Sequence, residues 1–255
     1  MSLKFKKKKQ LDLRITYPDR SNDFYLKKLR EDYDLQSLVD PDLSDLQNIL
    51  RIQAWVHSRW KPDHKNRPRK NYPSYLLKEA KKGKNFRAVD YGTVSIACLQ
   101  SLGYTVRGLW LFPGKMDEME NARAHVVHEI YLKDLKKWFF IDPCFNILVL
   151  KDGIPLNAVE LQQALIHEQE VEVKNPLHKI NTEEYLEWIG SYLYCFTISL
   201  NKGSISLCDR IMGRKKKITL VPVGENPPRK LQKTFRRRTN IVTHSLGDFY
   251  VNMEN

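Results

Sequence analysis

A histidine and an aspartate stand on two segments that have the pattern of paired β-strands. The stretch AHVVHEIYLKDLKKWFFIDPCF covers residues 124–145, with His125 near its start and Asp142 near its end. Asp134 and Leu135 lie in a short charged turn between them, and pairing Leu132 roughly with Trp138 brings Asp142 close to His125. An imidazole held by a carboxylate is a general base that can activate a nucleophile. A structural histidine beside an Asp-Pro turn is the alternative, and the pair alone does not exclude it.

A metal site is the competing interpretation of the histidines. HVVHE contains the letters of a zinc-protease motif in the wrong order. Because alternate side chains of a strand point to opposite faces, His125 and His128 cannot bind one ion together. The cysteines are widely spaced and form no C-x-x-C pair, which is typical of reduced thiols; they are Cys98, Cys144, Cys195 and Cys208. We expect neither a metal nor a cofactor.

The nucleophile that such a base serves is best placed at a helix N-terminus. The free N–H groups and the helix dipole favour a thiolate there, and the same N–H groups can bind an oxyanion. In RAVDYGTVSIACLQSLGYTV, apolar residues from Tyr91 to Leu102 recur at helical spacing, and Gly103 is a helix stop. The pattern predicts a long helix that begins at Ala88.

Together these segments resemble the transglutaminase-like superfamily, which shares its core with papain-like cysteine proteases. The family pattern G-x-Cys-x-D/E-[YF]-[AG] opens a helix that ends in L-G-[IY]-x-x-R. It continues with H-x-x-x-E-[VI]-Y and W-x-x-[IL]-D-P. The chain has FRAVDYGTVSIACLQSLGYTVRGL, AHVVHEIYL and KWFFIDPCF in the same order, between residues 45 and 147. The resemblance implies that His125 is the catalytic histidine and Asp142 the catalytic aspartate, with Glu129 and Trp138 at framework positions.

The nucleophile position of the family falls on Ala88, where this sequence departs from the pattern. A methyl group cannot attack a carbonyl, so covalent catalysis is excluded for the chain as written. Cys98 is no replacement, because it lies about 15 Å further along the helix. Cys144 follows Asp142 at a strand end and not at a helix N-terminus. Thr93 and Ser95 lie further along the helix, and the sequence shows no base that could activate their hydroxyl groups. The chain is therefore either a natural pseudoenzyme or a Cys-to-Ala variant, and the survival of the histidine and aspartate favours deliberate mutation or recent loss.

The resemblance also implies a second oxyanion donor, a Trp or Gln that precedes the nucleophile. The segment RIQAWVHSRW supplies three candidates, Gln53, Trp55 and Trp60, and Trp55 is our first choice. Core packing of an amphipathic helix is the alternative for each of them.

The order of elements predicts an α+β fold with a central helix packed on an antiparallel β-sheet. We divide the chain into an N-terminal tail and helix (1–43), a transglutaminase-like core (44–150) and a C-terminal part that completes or extends the same domain (151–255). In the last part the predicted strands are CFTISL, SISLC, ITLVPVG, IVTHSL and DFYVN. No run of 18 apolar residues and no signal peptide is present in the sequence. We expect a cytoplasmic protein by default, although the MSL start is also typical of an engineered N-terminus.

The formal net charge of +13 is concentrated in two runs, Lys6–Lys9 with Lys4 and residues 214–238. Basic runs are usually solvated, and no nucleic-acid-binding motif accompanies these, so we do not expect a nucleic-acid partner. We expect a peptide or protein substrate, with a cell-wall glycopeptide among the options, in a peptidase, amidase or transglutaminase type of acyl transfer. The alternatives are a non-catalytic groove that binds a peptide or glycan, and a polyanion binder whose affinity falls steeply with salt. The oligomeric state stays open.

Overall fold

One continuous β-sheet organises the chain. The structure, a computed structural model, describes residues 3–63, 65–114, 116–120, 124–175, 180–200, 217–228 and 240–251. Within these residues the strands are β1 (Val106–Phe112), β2 (His125–Leu132), β3 (Lys137–Asp142), β4 (Ile147–Lys151), β5 (Ile154–Pro155), β6 (Glu172–Lys174), β7 (Cys195–Ser199), β8 (Lys217–Leu220) and β9 (Asn240–Thr243). Their order is β5-β4-β3-β2-β1-β7-β8-β9, and β6 pairs with β4. The pairs are antiparallel except β8–β9, which is parallel.

Local sequence signals mark the ends of several helices. The described helices are α1 (Phe24–Asp32), α2 (Asp45–His57), α3 (Pro73–Ala80), α4 (Ala88–Ser101), α5 (Ala158–Ile166), α6 (Thr182–Gly190) and α7 (Leu246–Phe249), with a 3-10 turn at Leu35–Leu38. At α2, Ser44 and Gln47 form the capping box that their spacing indicates. After α4, Gly103 has a φ of 86°, a left-handed conformation that glycine adopts without strain. None of the described helices is long and apolar enough to cross a membrane.

Helices cover both faces of the sheet. Alternate strand residues point to opposite faces, so one face carries Ile130 and Ile141 and the other carries Val127 and Phe140. The first pair packs in a core with α1 to α4. The second pair packs with α5, α6 and α7. The mixed α+β architecture with a largely antiparallel sheet is the predicted fold class.

The C-terminal part of the chain extends the sheet of the central part. Strand β7 pairs with β1, and β8 and β9 follow it, in the segments predicted as CFTISL, ITLVPVG and IVTHSL. The predicted strand SISLC lies outside the described residues. The prediction of a strand at DFYVN is wrong, because Asp248 and Phe249 belong to the short helix α7, which Ser245 caps by accepting from the N–H of Gly247.

The basic N-terminal segment, predicted to be a tail, is held along the C-terminal part of the chain. Lys6 donates its N–H to the carbonyl of His244 at 2.8 Å, and its own carbonyl accepts from Leu246 at 2.8 Å. The N–H groups of Gln10 and Leu11 both donate to Asp248 Oδ1, at 2.7 and 2.9 Å. The backbone of this segment is therefore fixed while its lysine side chains remain exposed.

Candidate active site

The structure joins His125 and Asp142 directly. Nε2 of His125 lies 2.6 Å from Oδ2 of Asp142. Strands β2 and β3 bring them together with Leu132 opposite Lys137, one residue away from the predicted pairing of Leu132 with Trp138. An ionised carboxylate only accepts hydrogen bonds, so Nε2 carries the proton and Nδ1 lies on the opposite side of the ring. This is the tautomer in which a histidine can accept a proton at Nδ1.

Asp142 is fully buried and has three hydrogen-bond donors. Oδ2 accepts from His125 and also from the hydroxyl of Tyr185 at 3.2 Å. Oδ1 accepts from the backbone N–H of Cys144 at 3.0 Å. A buried carboxylate is costly unless it is paired and hydrogen-bonded, and these donors supply that pairing.

Aromatic residues surround the imidazole of His125, and sequence reasoning did not assign them to the site. Trp188 packs edge-on against it with ring centroids 4.9 Å apart. Tyr192 and Phe145 follow at 5.9 and 6.4 Å. Trp188 lies on α6 and Tyr192 just beyond it, in the segment TEEYLEWIGSYLY, so the C-terminal part of the chain builds one wall of the site. The aromatic residues of this segment recur at helical spacing, and this was the sequence signal that could have pointed to them.

Ala88 is the first residue of α4. Arg87, before it, donates its backbone N–H to Asp90 Oδ2 at 3.1 Å, and its guanidinium binds the same carboxylate. Ala88 itself is only partly buried. A side chain at position 88 therefore stands at the N-terminal end of the helix dipole, where an anion is favoured.

Two contacts show at which end of the β-sheet the N-terminus of α4 lies. A Cβ on Gly92 would lie 3.2 Å from Cε1 of His128, and one on Gly108 would lie 3.5 Å from Cδ1 of Ile96. Gly108 and His128 are cross-strand partners in β1 and β2. Helix α4 thus crosses this pair at its middle, and because its C-terminus leads into the start of β1, its N-terminus points to the end where β2 begins with His125.

The two histidines of β2 face different helices, as the alternation of the strand predicts. His128 lies against α4, whereas the described contacts of His125 are with Asp142 and with the aromatic cluster beside α6. His128 is fully buried, and burial lowers its pKa to about 4. Both of its ring nitrogens lack a hydrogen-bond partner within the described part of the chain.

Of the three oxyanion candidates, Gln53 and Trp60 lie against α4. Trp60 is stacked on Tyr91 at 4.4 Å, and Gln53 accepts from the hydroxyl of Ser95 at 2.6 Å. Nε1 of Trp60 and Nε2 of Gln53 are buried donors with no acceptor in the residues described. Within the described residues, both side chains therefore keep an unused hydrogen-bond donor next to α4.

Trp55 is our first choice, but its described contacts are with neither α4 nor His125. Its ring packs edge-on against Tyr33 at 6.2 Å and beneath the guanidinium of Arg59 at 4.4 Å. It lines a surface cavity of about 470 Å³ with residues of α1 and α3. Of the two tryptophans, Trp60 is the one whose described contacts include a residue of α4.

The cysteines near this region are poorly suited to replace the missing thiol. Burial raises the pKa of Cys98 to about 12. Burial and the neighbouring charge of Asp142 raise the pKa of Cys144 to about 12 as well. A thiol with so high a pKa has almost no thiolate at neutral pH.

Glu129 and Trp138 belong to a network of contacts on β2 and β3, the strands that carry His125 and Asp142. Glu129 and Arg107 make a buried ion pair with N–O distances of 3.0 and 2.6 Å. Glu129 also accepts from the N–H of Ala158 at 3.1 Å and the hydroxyl of Tyr250 at 2.7 Å. The guanidinium of Arg107 lies 4.3 Å from the ring centre of Trp138. This network ties the start of α5 and the C-terminal segment to the strand that carries His125.

Comparison with known proteins gives a family assignment. A solved structure of a candidate cysteine protease from Cytophaga hutchinsonii is similar at 15% sequence identity and a TM-score of 0.36, over 51% of this chain and 40% of that one. This chain thus spans less than half the length of that protein. No curated protein matches the sequence. The core model of the transglutaminase-like superfamily matches residues 35–143. This stretch contains α4, β2 and β3, and with them Ala88, His125 and Asp142. Residues 35–143 are therefore a domain of the transglutaminase-like superfamily.

Proposed function

We propose that this chain is a transglutaminase-like cysteine acyl-transfer protein from whose nucleophile position, Ala88, the thiol is missing. The observation that carries the proposal is the 2.6 Å bond between His125 Nε2 and the buried carboxylate of Asp142. It fixes the tautomer that a Cys-His-Asp site requires. The start of α4 at the same end of the sheet supports it, because a helix N-terminus favours a thiolate.

With a cysteine at position 88, the chemistry follows from the positions of these groups. The thiol gives its proton to Nδ1 of His125, and the thiolate attacks the carbonyl carbon of an amide. The oxyanion formed takes hydrogen bonds from backbone N–H groups at the start of α4 and from Nε1 of Trp60 or Nε2 of Gln53. The imidazolium of His125 then protonates the leaving amine, which leaves a thioester.

The thioester is resolved by a second nucleophile. Water, after loss of a proton to His125, gives a carboxylic acid, and an amine gives a new amide. The first outcome is a peptidase or amidase reaction, and the second is a transglutaminase reaction. We propose a peptide or protein substrate, with a cell-wall glycopeptide included among the candidates. The chain with Ala88 binds such a substrate and forms no acyl intermediate.

The test is Ala88→Cys, with the rate of alkylation by iodoacetamide measured against pH. We expect the midpoint of the alkylation profile to lie well below the value of about 8.5 that a free thiol shows. Adding His125→Ala should move the midpoint back to that value. Adding His167→Ala, which alters an exposed histidine at the C-terminal end of α5, is the matched control and should leave it low. A midpoint near the free-thiol value that does not respond to His125→Ala contradicts the proposal.

The second candidate is a non-catalytic groove that binds a peptide or glycan. The observation in its favour is Trp188, which packs on His125 and is nonetheless 36% exposed, so it offers an aromatic surface to a ligand. The two candidates differ in one result. Ala88→Cys turns over an amide substrate if the first is correct. If the second is correct, the unmodified chain binds a ligand through Trp188 and the variant shows no turnover.

A further inference from the structure

Tyr185 shares its acceptor atom with the histidine of the site. Its hydroxyl donates to Oδ2 of Asp142 at 3.2 Å, and His125 Nε2 lies 2.6 Å from the same oxygen. The other oxygen, Oδ1, is held by the N–H of Cys144. Donors on both oxygens define the plane of the carboxylate, whose terminal torsion is otherwise broad.

The hydroxyl of Tyr185 is a permanent donor. The side chain is almost fully buried, and burial together with the charge of Asp142 raises its pKa well above the usual value of 10. Tyr185 therefore carries its hydroxyl proton at neutral pH. Since an ionised Asp142 only accepts, the O–H of Tyr185 must point at the carboxylate.

Helix α6 fixes the position of this hydroxyl. Asn181 caps the helix by accepting from the N–H groups of Glu183 and Glu184. The ring of Tyr185 packs edge-on against Phe145 at 5.8 Å, and Trp188, one turn further along the helix, lies 6.0 Å away. The segment that supplies Tyr185 lies beyond residues 35–143, so the match with the family does not include it.

We propose that Tyr185 is a positioning residue of the candidate site. It holds the Asp142 carboxylate with Oδ2 turned to Nε2 of His125, and so keeps Nδ1 directed away from Asp142 towards the nucleophile position. The proposal rests on the proposed function, in which Nδ1 accepts the proton. Without the hydroxyl of Tyr185, each carboxylate oxygen keeps one donor, His125 on Oδ2 and the N–H of Cys144 on Oδ1, so the carboxylate is held less tightly.

The test uses the chain as it is, with Ala88, and follows the Nε2 proton of His125 by low-field proton NMR. Tyr185→Phe should move this resonance to higher field and speed its exchange with water about tenfold, because a hydrogen bond that fixes a charged group is lost. Tyr192→Phe is the matched control, since it removes a hydroxyl from the same aromatic cluster without touching Asp142. An unchanged resonance in Tyr185→Phe, or a move to lower field with slower exchange, overturns the proposal. Circular dichroism establishes that the variant is folded, and Tyr185→Met repeats the test if it is not.

A second readout separates this proposal from the proposed function. In the Ala88→Cys background, Tyr185→Phe should raise the midpoint of the alkylation profile, and Tyr192→Phe should not. If the alkylation midpoint of Ala88→Cys is the same with and without His125→Ala, the proposed function fails, whatever the NMR result. If alkylation depends on His125 but Tyr185→Phe leaves the NMR resonance unchanged, the positioning role alone fails.

Discussion

The histidine that faces α4 should make the stability of this protein depend on pH. His128 is fully buried on β2, with Cε1 at 3.2 Å from the place where a Cβ on Gly92 would lie. Burial penalises the charged imidazolium and lowers the pKa of His128 from 6.5 to about 4. The folded protein therefore holds His128 neutral over a range in which the unfolded chain binds a proton.

The sign and size of the effect follow from this difference. Well above pH 6.5, neither state is protonated at His128 and the full stability is present. As the pH falls from 6.5 towards 4, the unfolded state gains a proton that the folded state does not, so stability is lost at about 1.4 kcal/mol per pH unit. The loss attributable to His128 is about 3 kcal/mol when the pH reaches 4, as an order of magnitude.

Urea unfolding at a series of pH values between 7 and 5 measures this loss. The unfolding free energy of the parent should fall by about 2 kcal/mol more over this range than that of His128→Leu, which cannot titrate. His167→Leu removes an exposed histidine and should keep the pH dependence of the parent. Equal pH slopes in the parent and His128→Leu would refute the reasoning, whatever the absolute stability of the variant.

Two further substitutions test the packing that holds the site. Arg107→Met leaves the Glu129 carboxylate buried without its cation, so it should lower the unfolding free energy by about 3–5 kcal/mol, and adding Glu129→Leu should recover much of the loss. A cost below about 1 kcal/mol would mean that the pair is not desolvated. Ser44→Ala removes the acceptor for the N–H of Gln47 at the start of α2 and should cost about 1 kcal/mol in the same urea assay, and no measurable cost would argue against the cap.

The elements that position the site were predictable because their signals are local. The capping box at Ser44, the helix start at Ala88 and the left-handed stop at Gly103 each depend on a few neighbouring residues. The proximity of His125 and Asp142 followed from the position of the turn between their strands. The register was off by one residue because Lys136 takes a left-handed conformation, with φ at 50°, and closes a shorter turn than its sequence suggests.

The contacts that the sequence did not reveal are those between distant segments. Tyr185 and Trp188 reach the site from α6, which no local pattern connects with Asp142. The sequence could not decide between Trp55 and Trp60 for a related reason. Helix α2 ends at His57, so Trp60 lies beyond the range in which helical spacing sets the direction of a side chain. Its stacking on Tyr91 is a tertiary contact and could be read only from the structure.

Whether this site catalyses acyl transfer or only binds a ligand depends on one sulfur atom, the Sγ of a cysteine at position 88. Ala88 is partly exposed at the first residue of α4, so Ala88→Cys adds a single Sγ atom outside the tightly packed core. Such a change should alter the unfolding free energy by no more than about 0.5 kcal/mol. If the stability is unchanged, any gain in alkylation or turnover reflects the added thiol and not a rearranged fold. A loss of 2 kcal/mol or more would mean that position 88 has no room for sulfur, and Ala88 would then be a packing residue and not the nucleophile position.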